Sequence, residues 1–74
     1  MSRLPRLTGA EVIGRLEQAG FVIARVRGSH HRPTHPDGRS TTVPVHGAET
    51  IGPGLLSKIL KDCELTRDQF AALS

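Results

Sequence analysis

Apolar residues fall along this chain in two rhythms, one helical and one extended. Val12, Ile13, Leu16 and Ala19 recur at helical spacing and form one stripe of an amphipathic helix. Thr8 and Glu11 stand three apart just ahead of the stripe. In a capping box of this kind the hydroxyl and the carboxylate each take an otherwise unpaired backbone N–H. Gly20 sits where a left-handed residue would end the helix. The run Phe21-Val22-Ile23-Ala24-Arg25-Val26 follows at once, rich in β-formers and too short for another helix. Gly28 marks a turn or bulge, and Ser29 to His35 forms the returning strand. Pro33 has no N–H for a ladder, so that strand is expected at an edge, bulged or short. His35-Pro36-Asp37-Gly38 has the chemistry of a turn, which makes Asp37 structural. Ser40 to Val45 reads as a third strand, limited by Pro44.

A loop from His46 to Gly52 leads to Pro53, which suits the first turn of a second helix. Leu55, Leu56, Ile59, Leu60 and Cys63 make its apolar stripe. Thr66 and Gln69 repeat the capping-box spacing and open a short tail helix that docks Phe70 and Leu73. The order predicts an α+β fold, α-β-β-β-α with a short extra C-terminal helix, in one domain spanning residues 1–74. Two helical stripes are buried economically if both main helices lie on one face of a three-stranded antiparallel sheet. The other face is then free for a ligand.

Composition narrows the setting. Two Phe and no Trp or Tyr leave a thin core to Leu, Ile and Val. A lone cysteine, Cys63, forms no internal disulfide and fits a reducing compartment; on its apolar stripe it reads as core, not nucleophile. Arg3 and Arg6 flank Leu4, Pro5 and Leu7, which is far short of a signal-peptide core. Nothing approaches the ~20 apolar residues of a membrane span. A cytoplasmic protein with no membrane association is expected.

Net charge is +3, and its location is the informative part. Between Arg25 and His46 lie four arginines (Arg25, Arg27, Arg32, Arg39) against one acid, Asp37, while the other basic and acidic residues balance. All four histidines fall in the same segment. Such a patch suits a polyanion, nucleic acid above all, although a merely solvated strand surface has the same composition.

His30 and His31 bring chemistry to that patch. An imidazole both takes and gives a proton near neutral pH. RNA carries its own nucleophile, so a base that deprotonates the 2′-hydroxyl drives attack on the adjacent phosphorus. Arginine steadies the charge that builds on the phosphoryl oxygens. Strand alternation places His30, Arg32 and Thr34 on one face and His31 and His35 on the other. A bulge at the turn would reverse this and favour His31. Gly28 and Ser29 would allow close approach and supply donors. The chain has no carboxylate cluster to hold magnesium, and histidines at 30, 31, 35 and 46 match no common zinc spacing. No metal or cofactor is expected. Lys58 and Lys61 read as solubilising residues.

Several motifs in order then resemble a known family. Ala19-Gly20-Phe21 is followed by Arg27-Gly28-Ser29-His30-His31, by His35-Pro36-Asp37-Gly38-Arg39, by Val43-Pro44-Val45-His46, and by Ile51 to Leu60. The series, covering about Thr8 to Leu73, is similar to the HicA (YcfA-like) toxins of type II toxin–antitoxin modules. The resemblance implies a fold like the double-stranded-RNA-binding domain and a metal-independent mRNA-interferase activity. It also implies a HicB-type antitoxin that covers the active site. The family's catalytic histidine follows Gly-Ser and maps onto His30, with His31 a rival because the histidine is doubled. Arg27, Gly28, Ser29, Arg32 and His46 are the residues expected at the RNA. Two alternatives stand beside this reading: a non-catalytic RNA-binding module, and a degenerate toxin acting through partner binding. Pro53-Gly54-Leu55-Leu56 argues against the first, since it offers no basic residue to phosphates.

Overall fold

A computed structural model of the chain describes residues 6–73. Arg3, Leu4 and Pro5, which entered the reading of the amino end, lie outside them. The first helix, α1 (Gly9–Gln18), starts from the expected capping box. The Thr8 N–H donates to Glu11 Oε1 at 2.9 Å, and the Glu11 N–H donates to Thr8 Oγ1 at 3.2 Å. Gly20 follows the C-cap with φ +97°, the left-handed turn that glycine adopts without a Cβ penalty.

Three antiparallel strands, β1 (Val22–Arg27), β2 (His30–Thr34) and β3 (Val43–Pro44), then pair in the order β1-β2-β3. The helices α2 (Pro53–Asp62) and α3 (Arg67–Ala72) complete the α+β, α-β-β-β-α arrangement with its extra terminal helix. Val12 and Leu16 of α1, Phe21, Val43, Leu56 and Ile59 of α2, Cys63 and Phe70 make one core on one side of the sheet. Arg15 pins α3 to it. Its guanidinium lies 5.2 Å from the Phe70 ring centroid and donates to the Phe70 carbonyl at 3.3 Å.

The second strand takes one of the forms expected of it, and the third departs from expectation. β2 is short, as Pro33 demands, but it is central, not an edge. Pro33 C=O accepts from the Thr41 N–H at 3.2 Å, so its imide nitrogen faces the same side, where β3 has already lost regularity. The missing donor therefore costs no regular ladder bond. The third strand, expected over Ser40 to Val45, is confined to Val43 and Pro44. Thr41 leaves the ladder geometry to bury its side chain and donate to Asp62 Oδ2 at 2.9 Å. Leu55, assigned to the apolar stripe of α2, is instead exposed in its first turn.

Pro44 carbonyl faces away from β2, against the start of α1. A Cβ built on Gly9 would sit 2.1 Å from that oxygen and 3.1 Å from Val45 Cα, backbone atoms with no room to yield. Gly14, further along the same helix, has open space around it. The two positions therefore separate packing from propensity. Gly9→Ala should lower stability by about 1–3 kcal/mol through overpacking, whereas Gly14→Ala should raise it by about 0.5–1 kcal/mol. Urea denaturation of both variants checks this, and a neutral Gly9→Ala would contradict the close approach.

Candidate nucleic-acid interface

The site begins at the turn between β1 and β2. Arg27 and His30 face each other as the last rung of the ladder, leaving Gly28 and Ser29 as a two-residue loop. Gly28 has φ +58°, while Ser29 does not enter the positive-φ region. This is the pattern of a type II′ turn, whose twist matches that of the strands. Glycine is required at its first central position for backbone reasons alone, since a Cβ there would meet nothing.

Register then decides which side chains share a face. The pairs run Val22 with Thr34 and Ile23 with Pro33, then shift by one residue to Arg25 with Arg32, Val26 with His31 and Arg27 with His30. Ala24 is the extra residue of a β-bulge. Without it, simple alternation would put Arg25 and Arg27 on the same side as Ile23, toward the core. With it, Arg25 and Arg27 join His30 and Arg32 on the face away from the helices, and all four are exposed. The bulge lies in β1, so β2 keeps the parity expected from its sequence. Among the described residues, Arg25 and Arg27 make no ion pair.

Arg32 is held on that face. Its guanidinium donates to Thr42 Oγ1 at 3.2 Å and to Ser40 Oγ at 3.0 Å. Two of its five N–H groups are used, and the remainder stay available in a fixed plane. His30 is exposed, paired across the ladder with Arg27 on one side and Pro44 on the other.

His31 is placed differently. It sits on the helix side of the sheet, half-buried, with Nδ1 at 3.2 Å from the Ser29 carbonyl oxygen. A carbonyl only accepts, so Nδ1 carries the proton in this contact. The same oxygen accepts from the Val45 N–H at 2.8 Å, which carries the β2–β3 ladder one residue past Pro44. His46, exposed, follows Val45 directly and so leaves the sheet at its hairpin end. The structure brings Arg27, Gly28, Ser29, His30, Arg32 and His46 to one region and sets His31 behind it. Arg25, which sequence reasoning left out of this group, reaches the same face. Strand alternation gave no reason to include it, because the bulge has no signature in Ile23-Ala24-Arg25.

The neighbouring turn fastens this sheet to the helices. Arg39 Nε donates to Asp37 Oδ2 at 2.9 Å, and Arg39 Nη1 donates to the Cys63 carbonyl at 2.6 Å. The guanidinium also lies 5.2 Å from the Phe21 centroid, while the His35 ring meets Phe21 edge-on at 5.1 Å. The Arg39 side chain, and after it the Arg39 N–H, hold the Asp37 carboxyl below its usual range. The Lys58 ammonium, 3.0 Å away, and the Thr41 hydroxyl do the same for Asp62. Burial pushes the Cys63 thiol up to about 11, so it is a core side chain and not a thiolate nucleophile. Among the described residues, no three His, Cys, Asp or Glu side chains group as metal ligands, and no helix is long and apolar enough to cross a membrane.

The order of elements and the single covered sheet face define a double-stranded-RNA-binding-domain-like fold. A family model described as HicA toxin of bacterial toxin-antitoxin matches residues 9–65. The chain belongs to the HicA toxin family, and with it to the toxin side of toxin–antitoxin systems. No curated protein matches the sequence.

The depressed carboxyls of Asp37 and Asp62, together with that of Glu11 at the Thr8 capping box, set a pH dependence. A folded-state pKa below the unfolded one contributes stability that is present above the unfolded carboxylate range. That stability is lost as pH falls through the depressed folded values. Denaturation between pH 6 and pH 2 should show the wild type weakening below about pH 4. An Asp37→Asn, Asp62→Asn double variant should start less stable and lose less over the same descent. Equal losses in both proteins would remove these carboxyls from the account.

Proposed function

We propose that this HicA-family chain is an endoribonuclease that cleaves mRNA with His30 as its proton-transfer residue. The observation that carries this reading is the rung formed by His30 and Arg27 on the open face of the sheet, with Arg32 next along it. His30 accepts the proton of a ribose 2′-hydroxyl, and O2′ bonds to the adjacent phosphorus. The P–O5′ bond then breaks and O5′ takes a proton from solvent. The products are a 2′,3′-cyclic phosphate and a 5′-hydroxyl. Arg27 and Arg32 pair with the non-bridging oxygens, whose negative charge grows toward the pentavalent state. The hydrogen bonds that Arg32 donates to the Ser40 and Thr42 hydroxyls fix it in advance, so little reorganisation accompanies the reaction. Gly28 and Ser29 let the backbone approach the ribose–phosphate, and His46 orients the strand at the hairpin end.

The base, the nucleophile and the charge-stabilising groups of this scheme belong to the chain or to the RNA, and solvent supplies the proton to O5′, so the proposed reaction is metal-independent. The partner in the module is a HicB-type antitoxin that covers the arginine-bearing face and so denies it to RNA. We place the reaction in the cytoplasm, where mRNA is found and where the unpaired thiol of Cys63 stays reduced.

His30→Ala should cut RNA cleavage by on the order of 10²–10⁴-fold while the circular dichroism spectrum and thermal midpoint stay as in the wild type. The exposed imidazole supports no core contact, so folding is not at issue. Wild-type cleavage should continue in EDTA and yield fragments ending in a cyclic phosphate. A fully active His30→Ala protein would transfer the role elsewhere, with His31→Ala as the next variant to assay. RNA that is bound but uncut by the wild type would make the protein a binding module.

A further inference from the structure

The rung next to His30 and Arg27 is unusual. Arg25 and Arg32 are direct cross-strand partners, on the same face, both exposed. Side chains opposed in this way have Cβ atoms about 4.5–5.5 Å apart, and like charges there destabilise the sheet. Among the described residues, no acid forms an ion pair with either. Arg32, among these residues, donates hydrogen bonds to the neutral hydroxyls of Ser40 and Thr42. The carboxylate whose charge Arg32 interacts with, Asp62, is already engaged by Lys58 and Thr41. The β-bulge at Ala24 is what creates the juxtaposition, since regular alternation would have turned Arg25 to the other face. Two exposed arginines opposed on one rung, with the charge of Asp62 already shared with Lys58, are explained by an anion bound at that rung.

We infer that Arg25 and Arg32 form a second phosphate site, one nucleotide along the strand from the phosphate that is cut. Arg25 lies two residues from Arg27, and Arg32 lies two residues from His30, so the rungs are about 6.6–6.8 Å apart. That interval is comparable to the distance between successive phosphates along one nucleic-acid strand. A chain laid along the hairpin thus meets the Arg27–His30 rung with one phosphate and the Arg25–Arg32 rung with the next. Arg32 reaches both and aligns them. Apart from the imidazoles of His30 and His46, which the reaction uses, the face offers no aromatic ring for base stacking, because both phenylalanines are buried and the chain has no Tyr or Trp. The site therefore grips the backbone and leaves the base next to the cut unread.

This inference rests on the nuclease reading and is tested separately from it. A 2′-O-methyl hexanucleotide of mixed sequence has no nucleophile and reports binding alone. Its Kd should be measured across a salt series for the wild type, Arg25→Gln, Arg25→Lys and Lys61→Gln. Arg25→Gln should weaken binding several-fold and reduce the slope of log Kd against log salt by about 0.7–1, the loss of one phosphate contact. Arg25→Lys should keep most of the slope. Lys61→Gln, which removes the same charge from α2, should leave the slope as it is. A second arm uses an oligonucleotide with one cleavable ribose and a neutral methylphosphonate at either linkage beside it. One of the two placements should raise KM in the wild type, and Arg25→Gln should add nothing further with that substrate. An unchanged slope and KM in Arg25→Gln, with RNA still cut, would overturn the second site and leave the nuclease reading in place. A wild type that binds the hexanucleotide with the expected slope but cuts no RNA would overturn the nuclease reading instead. If an acidic protein partner, and not RNA, is what binds Arg25, the salt slope for RNA will not move.

Discussion

The arrangement of this molecule depends on the β1–β2 ladder holding one register, with a single extra residue in β1. A strand displaces every side chain to the opposite face when it slips by one position. Here Ile23 must stay with Pro33 on the covered side, while Arg25 and Arg27 must reach the open one. Ala24 reconciles these demands by standing outside the pairing. The tight Gly28–Ser29 turn then fixes the far end, because a two-residue loop admits no slippage between Arg27 and His30. Arg25, Arg27 and Arg32 are thereby gathered onto one surface.

The rest of the fold keeps that hairpin rigid. Thr41, Asp62 and Lys58 tie the irregular entry to β3 onto α2. Arg39 joins the turn after β2 to Phe21, to Asp37 and to the end of α2 at Cys63. Gly9 lets α1 begin against the outer edge of β3. In a chain with so small a core, these polar and backbone contacts supplement an apolar interior built from few large side chains. The arginines thus divide into two kinds. Arg15 and Arg39 are spent on packing, whereas Arg25, Arg27 and Arg32 remain directed at solvent. A count of basic residues does not reveal that division.

His30 and His31 show the same separation at closer range. Adjacent in sequence, they lie on opposite sides of β2. His30 faces solvent among arginines, and His31 turns back to the carbonyl of Ser29, which also receives the Val45 N–H. That carbonyl joins the turn to the strand extension leading to His46. The second histidine is therefore placed to hold the geometry of the turn that presents the first.

The helices were legible in the residues themselves. The Thr8–Glu11 and Thr66–Gln69 boxes, Gly20 and Pro53 act through neighbours within a turn, and short-range interactions survive in any surroundings. The family was legible too, because its motifs are short and ordered, as was the face of His30, because β2 alternates regularly. Three features were decided only by the tertiary structure. The bulge that brings Arg25 to the open face depends on how Ile23 and the hairpin end are both satisfied. The central position of β2 depends on Thr41 leaving the ladder opposite Pro33. The exposure of Leu55 depends on which side of α2 meets the core. Each is a choice between local conformations of similar energy, and contacts between residues far apart in the chain make that choice.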